Sequence, residues 1–210
     1  ALQDSGGAEM LMLGGGNPAH IPEMQEVWRR RLQEIVADKP LCDRLLGNYD
    51  GPAGNPRFRE AMACFLRQIY GWDVGPENVA VTCGGQTAFF FLFALLAGEL
   101  ADGQRRKILL PIAPEYIGYA DQGLSKNALE SRLPQIELIG DHTFKYHIDF
   151  DALQIDDEHA AVCVSRPTNP TGNVLTDEEV SRLAQLAAAN GLPLLIDNAY
   201  GEPFPGAVFQ

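Results

Sequence analysis

The sequence predicts an α/β protein built on a mainly parallel sheet with helices on both faces. Residues 162–164 and 194–196 are short apolar runs with the length and residue types of buried strands. Between them, apolar residues recur at helical spacing, at Val180, Leu183, Ala184 and Ala187. A strand, a helix and a second strand in this order form a βαβ unit, in which the two strands are parallel.

The helix of this unit carries sequence signals at both ends. Thr176 is followed three residues later by Glu179, which is the pattern of a capping box at a helix start. Asn190 and Gly191, with Pro193 shortly after them, predict where the helix ends.

Two further helices are predicted nearer the N-terminus. Residues 22–37 have an amphipathic pattern, with apolar residues at Met24, Val27, Trp28, Leu32 and Ile35. Asn55 can cap a second helix that has Pro56 at its first position. The buried stripe expected for this second helix consists of Phe58, Met62, Phe65 and Ile69.

A glycine-rich turn then opens an apolar helix. Residues 79–82 predict a short strand, and Gly-Gly-Gln-Thr at residues 84–87 leads into a very apolar segment from Ala88 onward. The unpaired N–H groups and positive dipole end of such a helix can bind a phosphate. The turn is neither a P-loop, since no lysine follows the glycines, nor the dinucleotide-binding Gly-x-Gly-x-x-Gly. Because the helix is apolar all round, we expect it in the centre of the core.

Two more strands are predicted at residues 107–110 and 136–139. Residues 141–158 are polar and are predicted to be irregular, apart from a short element at residues 150–153.

The composition favours a globular protein that binds neither nucleic acid nor a membrane. The 210 residues are 46% hydrophobic and 21% charged, which suits one sizeable core. Sixteen basic and 28 acidic residues give a net charge of −12, which repels phosphate backbones and anionic lipids. The longest apolar run, residues 88–97, is about half as long as a membrane span, and no secretion signal opens the chain. We therefore expect a soluble, cytoplasmic protein.

The cysteines and histidines predict neither disulfides nor a metal site. No Cys-x-x-Cys spacing and no metal-like histidine spacing occurs among Cys42, Cys64, Cys83, Cys163, His20, His142, His147 and His159. We expect buried free thiols and surface or structural histidines.

Two polar clusters follow the strands of the βαβ unit. The first is Ser-Arg-Pro-Thr-Asn-Pro-Thr-Gly at residues 165–172, and the second is Asp-Asn-Ala-Tyr at residues 197–200. Ligands bind at the carboxyl edge of open parallel sheets, so Asn169, Asp197 and Tyr200 are expected to face one pocket. Taken alone, the first cluster could be an ordinary turn, and Asp197 could cap a helix or be a buried, hydrogen-bonded carboxylate.

Five segments between Leu13 and Gly206 carry a more specific pattern: LGGGNP, YDGPAGNP, APEYIGYAD, CVSRPTNPTGNV and IDNAYGEPFPG. Together they resemble the fold-type I pyridoxal-phosphate aminotransferases. The resemblance implies the three-layer, mainly parallel large domain of that family, truncated at the C-terminus. It implies that residues 1–50 contribute to the small domain and a dimer contact, and that residues 51–210 form the N-terminal part of the large cofactor-binding domain.

The resemblance implies contacts between the strand-end residues and pyridoxal 5′-phosphate. Asp197 would hold the pyridine nitrogen protonated, so that the ring can accept negative charge from the substrate's α-carbon. Asn169 and Tyr200 would hydrogen-bond the phenolic oxygen of the ring. Tyr116 would stack on the ring face, with Tyr119 as a further candidate. Asp197 and Tyr200 are the expected catalytic residues of this chain.

The resemblance also implies contacts with the cofactor phosphate and the substrate. Gly84, Gly85 and Gln86 match the phosphate-binding turn of the family. Tyr49 would reach across a dimer interface to the phosphate bound by the partner subunit. Gly16, in a loop over the substrate, and Asn169 would contact the substrate.

The activity implied by the resemblance is amino transfer between valine and pyruvate by a homodimer. The family's Schiff-base lysine lies downstream of the Asp-x-x-Tyr segment, and no lysine follows Lys145 here. We therefore expect an inactive fragment of an enzyme, with Arg166 as a cation near the site and the substrate-binding arginine further along the chain. Two alternatives stay open: another fold-type I enzyme such as a β-lyase, and an aminotransferase-like ligand-sensing domain of a transcriptional regulator.

Overall fold

The computed structural model of the protein describes residues 19–101 and 103–201. The helices are α1 (Pro22–Ala37), α2 (Lys39–Gly47), α3 (Pro56–Tyr70), α4 (Gly85–Leu96) and α5 (Asp177–Ala189). The strands are β1 (Gly98–Glu99), β2 (Arg105–Leu110), β3 (Leu129–Ser131), β4 (Gln135–Ile139), β5 (Thr143–His147), β6 (His159–Ser165) and β7 (Leu194–Asp197). Short 3₁₀ turns occur at Pro76–Asn78 and Ile117–Asp121. Within the described ranges, no helix combines the length and the apolar character that a bilayer span requires.

The chain divides into two compact units, Ala1–Tyr49 and Asp50–Gln210. In the first unit, α1 has the predicted bounds, and most of its apolar residues, such as Trp28, are exposed. The sequence did not predict α2, whose first turn is capped by Asp38, because the Leu41 N–H donates to the Asp38 carboxylate at 3.1 Å. The small-domain and dimer roles expected for residues 1–50 stay predictions.

The second unit is built on a sheet whose main strands are parallel. β2, β6 and β7 lie side by side in this order, and β3 also pairs with β2 in the parallel sense. The two-residue strand β1 is antiparallel to β2. Ser165 pairs with Asp197 in the register of β6 and β7, so the ends of these strands are neighbours. The carboxyl ends of the three main strands therefore share one edge of the sheet.

Apolar side chains project from both faces of this sheet and form two hydrophobic cores. In β6, Val162 belongs to one core and Cys163 to the other, as the alternation of a strand requires. The first core includes Leu183 of α5, and the second includes Phe93 of α4. Helices thus cover both faces of the sheet, and the predicted three-layer, mainly parallel α/β fold is confirmed.

The βαβ unit predicted around β6, α5 and β7 is present with its capping box. The Glu179 N–H donates to the Thr176 hydroxyl at 3.1 Å, and the Thr176 N–H donates to the Glu179 carboxylate at 2.8 Å. At the other end, Gly191 has a φ of 66°, a left-handed conformation that glycine adopts at little steric cost.

Two strand predictions are wrong. Residues 79–82 belong to no strand of the described structure, and the Val81 N–H donates to the Ala53 carbonyl rather than to a neighbouring strand. Residues 141–158, predicted as irregular, contain β5, which pairs with β4 in an antiparallel hairpin. A strand is defined by its partner, and a single segment of sequence does not show whether a partner lies beside it.

The expected burial of two helices is also corrected. The apolar stripe of α3 is largely exposed, with Phe65 at 45%, and Ala63 is its buried residue. α4 buries Phe93 against the sheet but leaves Leu95 at 74% exposure, so the helix covers one face of the sheet rather than lying in the centre of the core. Apolar spacing identifies the face of a helix that can be buried, but it does not identify what covers that face.

Candidate active site

A cleft of about 160 Å³ lies within the second unit, where the carboxyl edge of the sheet meets the start of α4. Seven residues predicted from the sequence line it: Gly85, Gln86, Tyr116, Tyr119, Asn169, Asp197 and Tyr200. The other lining residues are Phe89, Gln122, Ser165, Pro167 and Ala199.

Asp197 is the last residue of β7, and both of its carboxylate oxygens are held. The Tyr119 hydroxyl donates to Oδ2 at 2.9 Å, and the Ala199 N–H donates to Oδ1 at 3.0 Å. Burial raises the pKa of Tyr119 far above its ordinary value, so this hydroxyl remains a donor at any ordinary pH. The arrangement fixes a carboxylate at the cleft that can pair with a cationic N–H group.

Asn169 and Tyr200 meet although 31 positions separate them in the sequence. The Asn169 side-chain amide donates to the Tyr200 hydroxyl at 3.3 Å. The loop that carries Asn169 is braced by Thr168, whose hydroxyl donates to the Ser165 carbonyl at 3.0 Å and whose N–H donates to the Asn173 carbonyl at 2.9 Å. The two polar side chains can therefore act together on one oxygen atom of a ligand.

Aromatic rings form one wall of the cleft. The ring of Tyr116 lies edge-on to that of Tyr119, with centroids 5.4 Å apart and planes at 90°. Tyr119 in turn contacts the ring of Phe89 from α4, with centroids 5.2 Å apart. These packed rings orient Tyr116, which is available to stack on a flat ligand.

The start of α4 supplies backbone N–H groups to the same cleft. Gly84, the residue before the helix, has a φ of 105°, and no side chain caps the first turn. A Cβ atom added at Gly84 or Gly85 would meet nothing within 4 Å, so space is open beside this backbone. Such a helix end attracts an anion, and Gly85 and Gln86 line the cleft beside it.

Three predicted residues are not among those that line the cleft. Gly84 is adjacent to the lining residue Gly85 without being one itself. The side chain of Tyr49 is fully exposed, and Gly16 lies outside the described residues. The roles of all three stay predictions.

Arg166 is not the cation near the ligand that the sequence suggested. Its Nε donates to the Leu175 carbonyl at 2.7 Å, and another guanidinium nitrogen donates to Asp177 of α5. Arg166 is buried, so its visible role is to tie the end of β6 to the start of α5. Within residues 19–101 and 103–201, no lysine lines the cleft and no cluster of three metal-binding side chains occurs.

Sequence reasoning gave no role to several residues at this site, among them Glu115, Ser165 and Gln122. Burial raises the pKa of Glu115, and the donors of Ser165 and Tyr116 oppose that rise. Gln122 is buried and faces the cleft from the end of the 3₁₀ turn. Ser165 belongs to the first polar cluster and Glu115 precedes Tyr116, which was the available signal.

The set of groups in the cleft could hold a phosphorylated aromatic cation. Asp197 can pair with a ring N–H cation, and Tyr116 can lie against the ring face. The Asn169–Tyr200 pair can bond a ring oxygen, while the start of α4 can take a phosphate. Each of these groups is oriented by contacts within the second unit.

Comparisons with known proteins give the family to which these features point. The family model for aminotransferase class I and II matches residues 9–209. The chain is 53% identical over 200 residues to the valine–pyruvate aminotransferase of Escherichia coli (strain K12), which covers 95% of this chain and 48% of that protein. It is 30% identical over 211 residues to the aspartate/prephenate aminotransferase of Thermus thermophilus, and this match covers 96% of this chain and 50% of that protein.

A solved aminotransferase structure is also similar to this chain. The crystal structure of valine–pyruvate aminotransferase from Salmonella typhimurium LT2 is similar, with a TM-score of 0.78 and 51% identity. The match covers 95% of this chain and 49% of that one. The chain therefore spans about half the length of the relatives that it matches.

Proposed function

The chain belongs to the class I and II aminotransferases, and we propose that the protein that carries it moves an amino group between valine and pyruvate with pyridoxal 5′-phosphate as cofactor. One observation carries the proposal: Asp197, Tyr116 and the Asn169–Tyr200 pair meet in one cleft, beside the open start of α4. The identity of 53% to the valine–pyruvate aminotransferase of Escherichia coli supports the choice of substrates.

Asp197 is the residue that we assign to the electronic part of the reaction. When bound, pyridoxal phosphate supplies a carbonyl that takes up the amino group and a conjugated ring that accepts negative charge from the substrate. The Asp197 carboxylate would keep a proton on the ring nitrogen, because an opposite charge in contact raises a pKa by about 1–3 units, or about 1.4–4 kcal/mol. Tyr119 and the Ala199 N–H hold that carboxylate in place.

Asn169 and Tyr200 are assigned to the phenolic oxygen of the cofactor ring. Two donors directed at that oxygen would stabilise its negative charge and lower the basicity of the group next to it. Tyr116 would hold the ring plane, which contributes about 0.5–1.5 kcal/mol beyond burial. Asn169 would also contact the substrate, as would Gly16.

Gly84, Gly85 and Gln86 are assigned to the cofactor phosphate, which the N–H groups at the start of α4 would bind. We propose that Tyr49, whose side chain is exposed, completes the phosphate site of a partner subunit in a homodimer. Light scattering tests the dimer, since a fully active monomer contradicts this role of Tyr49.

An assay of the complete protein tests the function. With valine, pyruvate and pyridoxal phosphate, chromatography should show alanine and 2-oxoisovalerate in equal amounts. A β-lyase would instead release pyruvate from a sulfur-containing amino acid such as cystathionine. A sensor domain would bind the cofactor or an amino acid without turnover and would carry a basic DNA-binding segment, so either result contradicts the proposal. We place the enzyme in the cytoplasm, which fractionation of cells tests.

A further inference from the structure

Glu115 precedes Tyr116 and its side chain contacts the end of β6. One carboxylate oxygen, Oε1, accepts a hydrogen bond from the Ser165 N–H at 2.8 Å. The other, Oε2, accepts from the Tyr116 N–H at 2.9 Å and from the Ser165 hydroxyl. Ser165 lines the cleft and is the register partner of Asp197. Glu115 therefore connects the backbone that carries Tyr116 to the strand end beside Asp197.

The contacts of Glu115 fit its ionised form, because all three groups that face it are donors. Burial opposes that charge and raises the pKa of Glu115, and the negative charge of Asp197 adds to the rise. Tyr119 and Cys163 are further titratable groups that interact electrostatically with Glu115. Burial raises the pKa of both, so they are neutral near pH 7 and Asp197 supplies the charge that Glu115 meets.

We propose that Glu115 is a positioning residue for Tyr116 and Ser165, and that its ionisation is coupled to the cation held by Asp197. The inference rests on the proposed function, since that cation is the protonated ring nitrogen of the cofactor. A cation at Asp197 cancels the charge that opposes ionisation of Glu115. Coupling is reciprocal, so the ionised Glu115 strengthens binding of the cation by the same factor.

The coupling has a consequence for the geometry of the cleft. Ionised Glu115 accepts from the Tyr116 N–H and from both donors of Ser165, whereas protonated Glu115 carries a hydrogen that competes with those donors. Binding of the cofactor therefore tightens the contacts that hold Tyr116 and the end of β6.

Affinity for pyridoxamine 5′-phosphate, measured by calorimetry at pH 8 and pH 5, tests the coupling. This probe carries the ring and the phosphate and needs no covalent bond to the protein. The complete protein, freed of cofactor, is compared with Glu115→Gln and with the control Glu178→Gln. Glu178 is an exposed residue in the first turn of α5, so the control makes the same chemical change away from the cleft.

At pH 8, Glu115→Gln should weaken binding about tenfold, which is the effect of one pKa unit of coupling. At pH 5 the difference between the two dissociation constants should be smaller, because a larger fraction of Glu115 is then protonated in the unchanged protein as well. Glu178→Gln should match the unchanged protein at both pH values.

Two results overturn the inference while leaving the proposed function intact. In the first, Glu115→Gln and the unchanged protein bind the probe equally well at both pH values. In the second, Glu115→Gln loses the same amount of affinity at both pH values, as expected for a purely structural contact. An unchanged protein that does not bind the probe contradicts the proposed function and the inference together. Ser165→Ala gives a second test that retains Glu115. Loss of its hydroxyl donor should move the acid-dependent loss of affinity to higher pH, and an unmoved transition contradicts the coupling.

Discussion

Tyr119 donates a hydrogen bond from its hydroxyl to Oδ2 of Asp197 at 2.9 Å, across 78 positions of sequence. The Tyr119 side chain is buried between the rings of Tyr116, Phe89 and Phe93, so it has little freedom to turn away. The orientation of the carboxylate at the cleft therefore depends on an aromatic side chain from a different part of the chain.

Tyr119→Phe in the complete protein should lower kcat about tenfold while leaving cofactor binding nearly intact. A hydrogen bond to a charged group contributes about 1.5–3 kcal/mol, and the phosphate contacts at α4 are not touched by the change. Tyr146→Phe is the control, since the Tyr146 hydroxyl makes no hydrogen bond among the described residues. Steady-state kinetics with valine and pyruvate measure the effect, and an unchanged kcat contradicts the role given to Tyr119.

Asn169→Ala should move the pH at which the bound cofactor changes its absorbance. Without the amide donor, the phenolic oxygen keeps more negative charge and the group beside it becomes more basic, so the midpoint should rise by about one pH unit. Stability should change little, because Asn169 is only partly buried. Absorbance titration measures the midpoint, with Asn190→Ala at the end of α5 as the control. An unchanged midpoint for Asn169→Ala contradicts the proposed contact between Asn169 and the phenolic oxygen.

His147 predicts a pH dependence of stability that does not involve the cleft. Its Nε2 contacts Glu137 at 2.8 Å and its Nδ1 contacts Glu179 at 3.1 Å, which links the β4–β5 hairpin to the start of α5. The hydrogen bond with Glu137, and then that with Glu179, raises the pKa of His147 although burial lowers it. The contribution to stability is therefore full below about pH 6.5, the ordinary value, and is lost as the pH rises through the raised pKa.

His147→Gln should accordingly lower the free energy of unfolding by about 0.5–1 kcal/mol at pH 6 and by less at pH 9. Urea unfolding followed by circular dichroism measures the difference. His142→Gln is the control, since His142 is an exposed residue of the same hairpin without a hydrogen bond among the described residues. If the free energy of unfolding that His147→Gln loses is larger at pH 9 than at pH 6, the predicted pH dependence is wrong.

The sequence alone predicted those features whose determinants lie within one segment of the chain. The capping box of Thr176 and Glu179, the cap at Asn55 and the bounds of α1 are local features, and the structure has each of them. The apolar strands beside α5 also predicted the shared edge at which Asn169 and Asp197 lie.

The sequence was not sufficient where the answer depends on a distant partner. The bond from Tyr119 to Asp197 and the bonds from Ser165 to Glu115 join separate segments, so spacing along the chain does not reveal them. The same reason explains β5, which is a strand because β4 lies beside it. Arg166 was misread because a cation next to a polar loop gives no sign that Asp177 will pair with it.

Single-turnover kinetics of Asp197→Ala with valine test the central claim, that Asp197 keeps the ring nitrogen protonated. The rate constant should fall about 100-fold or more, because the interaction strengthens as negative charge develops in the ring, whereas cofactor affinity should fall far less. A cofactor analogue methylated at the ring nitrogen carries a fixed positive charge and should restore part of the rate. A near-normal rate constant for Asp197→Ala with the ordinary cofactor would contradict the claim.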